Sequence, residues 1–406
     1  MHRAVDWQGW RTPGHRYRRL FELAERAVQV WRSEGAGSVA VKLFQFLRRH
    51  IRTAPAPEKP HSPALAREEE EVVIIEQDGD FDAQFFVGLD AWKYSRRAAI
   101  RMFVRQWQDK PIRKPFPEFH PGIYASRCNL LQVPTRPNPL AHYILRGKPQ
   151  GPWNAKLIRA AADRIPSEGL KVALHVHAYY PEMLAEILSR VALNSARCDL
   201  FITATSAEDA GAIGKILASR TDLKAEMLTV PNRGRDIGAF LHVLERLQAY
   251  DVVGHLHTKK SPDLDPRMAE AWRNFLMANL LGDSFPMMDV TLAEFEAQPK
   301  LGVVFPDDPY IIGWTQNREP ARLVLHRLGI DLTLPDYFDF PMGSMFWARP
   351  RALAPLIRAK LQWQEFPAEP LPYDGTILHA LERLIPFIAA HEGYDHAQTF
   401  IPGVVR

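Results

Sequence analysis

A chain of 406 residues, 46% apolar and 24% charged, has the size of two modules with tails and a globular composition, which excludes wholesale disorder and fibrous repeats. Two cysteines, Cys128 and Cys198, exclude a disulfide framework and point to a reducing cytoplasm, and no run reaches the ~18 apolar residues of a membrane span or forms a signal-peptide core. The net charge of +4 is uneven: residues 1–52 hold eleven Lys and Arg against four acids, a net of +7 that leaves −3 for the other 354, which argues against a nucleic-acid-binding face on the folded body.

Those 52 residues read as a basic helical arm. Tyr17, Leu20, Leu23, Ala27, Val30 and Trp31 recur at helical spacing, and Gly35 and Gly37 interrupt. Val39, Leu43, Phe46 and Leu47 resume the pattern, closed by Arg48, Arg49 and Arg52. Such a helix either lies on an anionic lipid surface, making the protein peripheral on the inner face of the cytoplasmic membrane, or packs on the protein body. Four prolines within residues 53–64 predict a semi-rigid linker. After it, 65–154 reads as a small helical accessory module. A short apolar strand is expected at Val72–Ile75 behind the acidic run Glu68–Glu71, a helix over 90–108, and a short helix from Asn138 closed by Gly147.

Residues 155–406 alternate. Strands are expected at Lys171–His177, Asp199–Ala204, Ala225–Val230, Asp251–Leu256 and Leu301–Phe305, with helices at Pro181–Val191, Ser206–Leu217, Arg235–Gln248 and within 268–297. Strands separated by helices of 10–15 residues predict an α/β fold with a doubly wound, mostly parallel sheet. Ligands of such sheets bind beyond the strands' carboxyl ends, at the point where strand order reverses.

Five loops there carry candidate chemistry. His175 and His177 share one strand face, with Tyr179 just beyond, and His255 and His257 repeat the spacing on the fourth strand. These imidazoles ligate a metal, act as neutral hydrogen-bonding groups beneath a ligand, or are satisfied core groups. Asn232, Arg233, Gly234, Arg235 and Asp236 form a strand-to-helix turn suited to a nucleotide diphosphate, with backbone N–H groups and arginines toward phosphate and Asp236 toward ribose or sugar hydroxyls, unless Asp236 is only a helix cap and the arginines are surface residues. Lys259 and Lys260 after the fourth strand can neutralise a departing diphosphate. Pro341–Trp347, with Gly343 and Ser344, reads as an apolar strand flooring an acceptor site. Asp374 opens the helix Ile377–Leu384 and offers either a cap or a general base, whereas Glu382, two turns on, is expected outside that mouth. Asp263 and Asp265 have DxD spacing, and Asp307 and Asp308 form another carboxylate pair.

The ordered strings VALHVHAYY, DLFITA, VPNRGRDIGAFL, YDVVGHLHTKKS, WRNFL, LGVVFP and YDGTILHALERL, spanning about 168–394, resemble the rhamnan synthesis protein F family. NPLAHYILRGKPQGPW resembles a short module found beside glycosyltransferase domains. The resemblance implies a GT-A-like glycosyltransferase, a rhamnosyltransferase building O-antigen, lipopolysaccharide or other envelope polysaccharide from a nucleotide sugar, dTDP-rhamnose being favoured, on a lipid-linked saccharide acceptor. It places Asp374 where inverting enzymes hold their base, with Asp307, Asp308 and Glu369 next in line. His257-Thr258-Lys259 stands where many such enzymes carry a metal-binding DxD, which leaves Mg²⁺ or Mn²⁺ open as a cofactor. Two other readings are a non-catalytic saccharide-binding scaffold and a metal-dependent hydrolase on the paired histidines.

Overall fold

The computed structural model describes residues 63–109, 113–166, 169–220, 222–261 and 264–406. The expected basic arm and the linker as far as position 62 lie outside the described residues. No described helix is long and apolar enough to cross a membrane.

Among the described residues the first five α-helices are α1 (Pro63–Asp78), α2 (Ala83–Val87), α3 (Arg96–Asp109), α4 (Pro121–Arg127) and α5 (Pro139–Leu145). The strand expected at Val72–Ile75 is instead the middle of α1. Val72 and Ile75 lie one turn apart and share a core with Phe81, Phe103 and Trp107. The acidic run is held in helical register by α3, where Arg101 reaches Glu69 at 2.7 Å and Arg105 reaches Glu68 at 2.9 Å. Helix α5 begins as expected, with the Asn138 side chain accepting from Leu140 N and Ala141 N, and left-handed Gly147 follows it.

Sixteen further elements build the α/β part: β1 (Lys156–Arg159), β2 (Val172–His177), α6 (Leu184–Val191), β3 (Asp199–Ala204), α7 (Ala207–Ala218), β4 (Ala225–Thr229), α8 (Arg235–Leu247), β5 (Val252–His257), α9 (Pro266–Leu280), α10 (Met287–Ala297), β6 (Leu301–Pro306), α11 (Arg318–Leu328), β7 (Phe346–Ala348), α12 (Ala354–Ala359), α13 (Ile377–His391) and β8 (Asp395–Phe400). The eight strands lie in the order β1-β8-β6-β7-β5-β2-β3-β4, parallel except for β7, which runs against both neighbours. Helices cover both faces. One core packs α6, α7, α9 and α10 on the sheet, and the other packs α8, α11, α12 and α13. This is the expected doubly wound, mostly parallel sheet.

Strand order reverses between β2 and β5. The chain leaves β2 toward β3 and β4, then returns to lay β5 on the other side. The carboxyl ends of β2 and β5 therefore flank the switch point. The strand expected at 341–347 is shorter, and only Phe346 onward pairs. Gly343 and Ser344 have φ of 93° and 60°, so their backbone turns as a loop before the strand begins.

Candidate functional site

Alternation along a strand puts His175 and His177 on one face of β2, and His255 and His257 on the matching face of β5. Register aligns them in pairs, His175 with His255 and His177 with His257. The His175 and His255 rings stack at 5.1 Å with Nδ1 atoms 3.0 Å apart, and His255 also stacks on Phe240. Thr203, level with His177 on β3, joins His175 Nε2 at 3.0 Å and His177 Nδ1 at 2.9 Å. His257 Nε2 donates to Gly343 O at 2.9 Å. Burial pushes His175 well below the ordinary imidazole pKa and His255 below it, and holds His177 at about 4. Those three rings are neutral at pH 7.

Asp236, in the first turn of α8, points into this group, its Oδ2 3.5 Å from His255 Nε2 and 3.9 Å from His257 Nε2. Burial pushes the carboxyl up, but the His257, His255 and His177 imidazoles outweigh it and hold Asp236 well below the usual carboxylate range. The N-terminus of α8 is capped by no side chain. Its first N–H groups and macrodipole favour the buried anion and any anion beyond it.

The rest of that turn divides between cleft and scaffold. Gly234 is left-handed at φ 78°, and a Cβ on it would lie 2.8 Å from the Phe366 ring. Its small size thus admits a neighbouring side chain. Arg233, expected on phosphate, donates to Phe366 O at 2.7 Å and Gln364 O at 3.2 Å. Asn232 and Arg235 are exposed, and Arg235 lies 3.3 Å from Glu369. Past β5, half-buried Lys259 lies over Trp272, and burial lowers its ammonium pKa against the opposing pull of Asp236 and Glu382. Lys260 is instead drawn to Glu182 and the Tyr180 ring. Tyr179 stands exposed beside it.

Glu382 gains a partner that its spacing does not show. It lies away from the helix mouth by sequence count, yet the 343–344 loop comes to it. Its Oε1 accepts from Gly343 N at 2.7 Å and Ser344 N at 3.1 Å. Gly343 and Ser344, expected at the acceptor, thus spend their N–H groups on Glu382, whose pKa burial raises. Asp374 does not cap α13; Thr376 does, accepting from His379 N. The Asp374 carboxylate accepts instead from Thr315 and Asn317, with Arg383 3.8 Å away. Burial pushes its pKa up, and these donors overcome that, leaving it lowered. Thr203 and the contact of Glu382 with the 343–344 loop were missed by sequence reasoning; only strand register and a returning loop reveal them.

Among the described residues no group of three or more His, Cys, Asp or Glu could hold a metal ion. Asp265 accepts from Arg267 N as the cap of α9, and Asp263 lies outside the described residues. Asp307 is bonded by buried Lys114, and Asp308 by Arg406 at 2.7 Å. At the switch point Asp236 offers one carboxylate beside imidazoles engaged with one another and a lysine, a donor set poor in the oxygen ligands that Mg²⁺ and Mn²⁺ take.

The chain is similar to known proteins. It is 34% identical over 248 residues to the uncharacterized protein WxcX of two strains of Xanthomonas campestris pv. campestris. That match covers 58% of this chain and 34% of WxcX, so the chain spans about a third of the length of these curated relatives. Among solved structures it is similar to the mannosyltransferase PcManGT from Pyrobaculum calidifontis, in complex with GDP-Man and Mn²⁺, at 12% identity and a TM-score of 0.32, covering 69% of this chain and 66% of that one. The model of rhamnan synthesis protein F matches residues 150–394, well over half of the sequence, and the chain belongs to that family.

Proposed function

We propose that this protein is a glycosyltransferase of polysaccharide synthesis that moves a sugar, rhamnose from dTDP-rhamnose, onto a lipid-linked envelope saccharide with inversion. The observation that carries this reading is the uncapped N-terminus of α8, with Arg235 beside it and Lys259 across the switch point. Oriented N–H groups and two cations at one strand edge suit a diphosphate. The donor diphosphate lies on the α8 turn and Arg235, and Lys259 faces the oxygen that leaves.

In the transfer the acceptor hydroxyl oxygen bonds to the anomeric carbon from the face opposite the diphosphate. The bond from that carbon to the diphosphate oxygen breaks, and its electron pair leaves with the nucleoside diphosphate. Asp374 takes the hydroxyl proton. Its ionised state, kept by Asn317 and Thr315, makes it ready to accept. Tyr179 borders the donor, and the 343–344 loop borders the acceptor. The basic arm keeps the enzyme at the cytoplasmic face of the membrane, where such acceptors are anchored.

Two measurements test this. In calorimetry with dTDP and UDP, Arg235→Ala and Lys259→Ala should each weaken binding about tenfold, the loss of one charge-assisted hydrogen bond. Affinities unchanged in both folded variants sink the diphosphate site. Incubation with a panel of nucleotide sugars and a saccharide acceptor, followed by product analysis, identifies the sugar.

A further inference from the structure

Three imidazoles and one hydroxyl at the switch point form a hydrogen-bond chain that admits only two orders of protons. The Thr203 hydroxyl has one hydrogen and sits between His175 Nε2 and His177 Nδ1, so it donates to one ring and accepts from the other. The Nδ1–Nδ1 contact of His175 and His255 likewise needs one nitrogen bearing a hydrogen and one bare. A neutral imidazole carries a single N–H, so fixing one ring fixes the other two. In the first order, His255 bears hydrogen on Nε2, His175 on Nδ1 and His177 on Nδ1. In the second, every placement is reversed.

Asp236 distinguishes the two. Its Oδ2 lies 3.5 Å from His255 Nε2, and both atoms are buried with no hydrogen-bond partner. In the first order an N–H faces the carboxylate. In the second a lone pair faces it in a site water does not reach, which is unfavourable. His257, also near Asp236, does not enter the chain, because its Nε2 hydrogen is directed to Gly343 O.

We propose that Asp236 sets this order and so holds His177 with a bare Nε2, a hydrogen-bond acceptor at the carboxyl edge of the sheet that selects a ligand group bearing hydrogen, a hydroxyl or an imide N–H. His177 is the group that meets ligand; Asp236, His255, His175 and Thr203 position it. The chain thereby separates two kinds of recognition, with the phosphates on the α8 turn and a hydrogen donor on β2. The assignment rests on the reading of this edge as the ligand cleft, while the proton order can be measured without it.

The test is histidine-selective ¹⁵N labelling of the full chain and long-range ¹H–¹⁵N correlation spectra, with His175→Gln, His177→Gln and His255→Gln for assignment. Wild-type protein should show His177 Nε2 bare and Nδ1 protonated, and His255 the reverse. Asp236→Ala should remove the bias, raising the share of His177 with Nε2–H at least tenfold. Thr203→Val should have the same effect on His177, and Thr203→Ser should restore the wild-type order. The Thr203 pair decides the matter should Asp236→Ala fail to fold. A wild-type His177 protonated on Nε2, or a His177 unchanged in both Asp236→Ala and Thr203→Val, overturns the proposal. Adding UDP should shift the bare Nε2 resonance of wild type. A UDP that binds and leaves that resonance in place overturns the ligand contact, whereas a UDP that does not bind defeats the nucleotide reading and leaves the measured order standing.

Discussion

Two buried polar clusters lie near the carboxyl ends of the strands, and they balance charge in opposite ways. Beyond β6, the wholly buried Lys114 bonds Asp307 and, at 3.1 Å, Asp339. Lys114 comes from the segment before α4, so this ion cluster fastens the helical prefix to the sheet, helped by Arg113 on the Phe86 carbonyl and the Tyr310 ring. Between β2 and β5, no Lys or Arg among the described residues is bonded to Asp236; imidazoles and a helix N-terminus hold its charge. An ion that carries its own counter-ion is locked. One balanced by rotatable protons and dipoles stays responsive to what enters the cleft.

Removing one partner from each cluster should separate them most. Lys114→Met leaves two carboxylates buried without a cation and should cost about 3–5 kcal/mol in urea unfolding. Asp236→Asn should cost clearly less, since it forfeits the imidazole and helix-end contacts that favour the carboxylate but leaves no buried charge unpaired. Equal losses would erase the distinction between scaffold and site.

Asp374→Asn sharpens the site half. It should lower kcat in a defined sugar-transfer assay by roughly a hundredfold or more while leaving dTDP affinity unchanged. Near-full turnover would move the base to Glu382 or Glu369.

Acid should strain the two clusters differently. Buried His120 and His177 are held at about 4, below the 6.5 of a free imidazole, so the unfolded chain binds more protons between those values and stability falls as pH drops from 6.5 toward 4. His175 and His255, also lowered, act in the same sense. Burial raises Asp307 to about 6, which works the other way over a similar window, because the folded chain then holds the extra proton. Histidines outnumber it, so Tm should be lower at pH 5 than at pH 7. A Tm that rises on acidification would mean that the ion cluster dominates.

The smallest effect expected is from the arm. Deleting residues 1–52 should leave the Tm of the body unchanged and reduce sedimentation with anionic vesicles, because the arm carries the +7. Equal sedimentation of both chains would refute a membrane role.

Legibility followed apolar pattern rather than burial, and exposed β4 was readable too. Strands β2, β3, β5 and β6 are buried on both faces and read as short apolar runs between turn signals. Strand β8, Asp395–Phe400, was invisible because its sequence is polar, although Gln398 and Thr399 are buried by their neighbours. Strand β1 is four residues with only Ile158 buried, too little pattern to register. Helix α1 misled because VVII has strand propensity, and the ion pairs with α3 that decide otherwise are tertiary. At the site the two HxH pairs were readable, but their meeting through His175 and His255 depends on β2 and β5, which are not sequential neighbours, and their orientation on Asp236 from the α8 turn.

Arg233 carries a lesson for mutagenesis. Its motif suggests a phosphate ligand, yet its hydrogen bonds tie the donor turn to residues 364 and 366, on the stretch leading to Asp374. The turn proposed as donor seat and the stretch leading to the proposed proton acceptor thereby share one mechanical strut. Cutting it should slow turnover as the loss of a phosphate contact would. Only a variant series that separates nucleotide affinity from kcat would tell them apart, so an alanine scan scored on turnover alone would credit to the diphosphate a residue whose guanidinium is engaged by carbonyls.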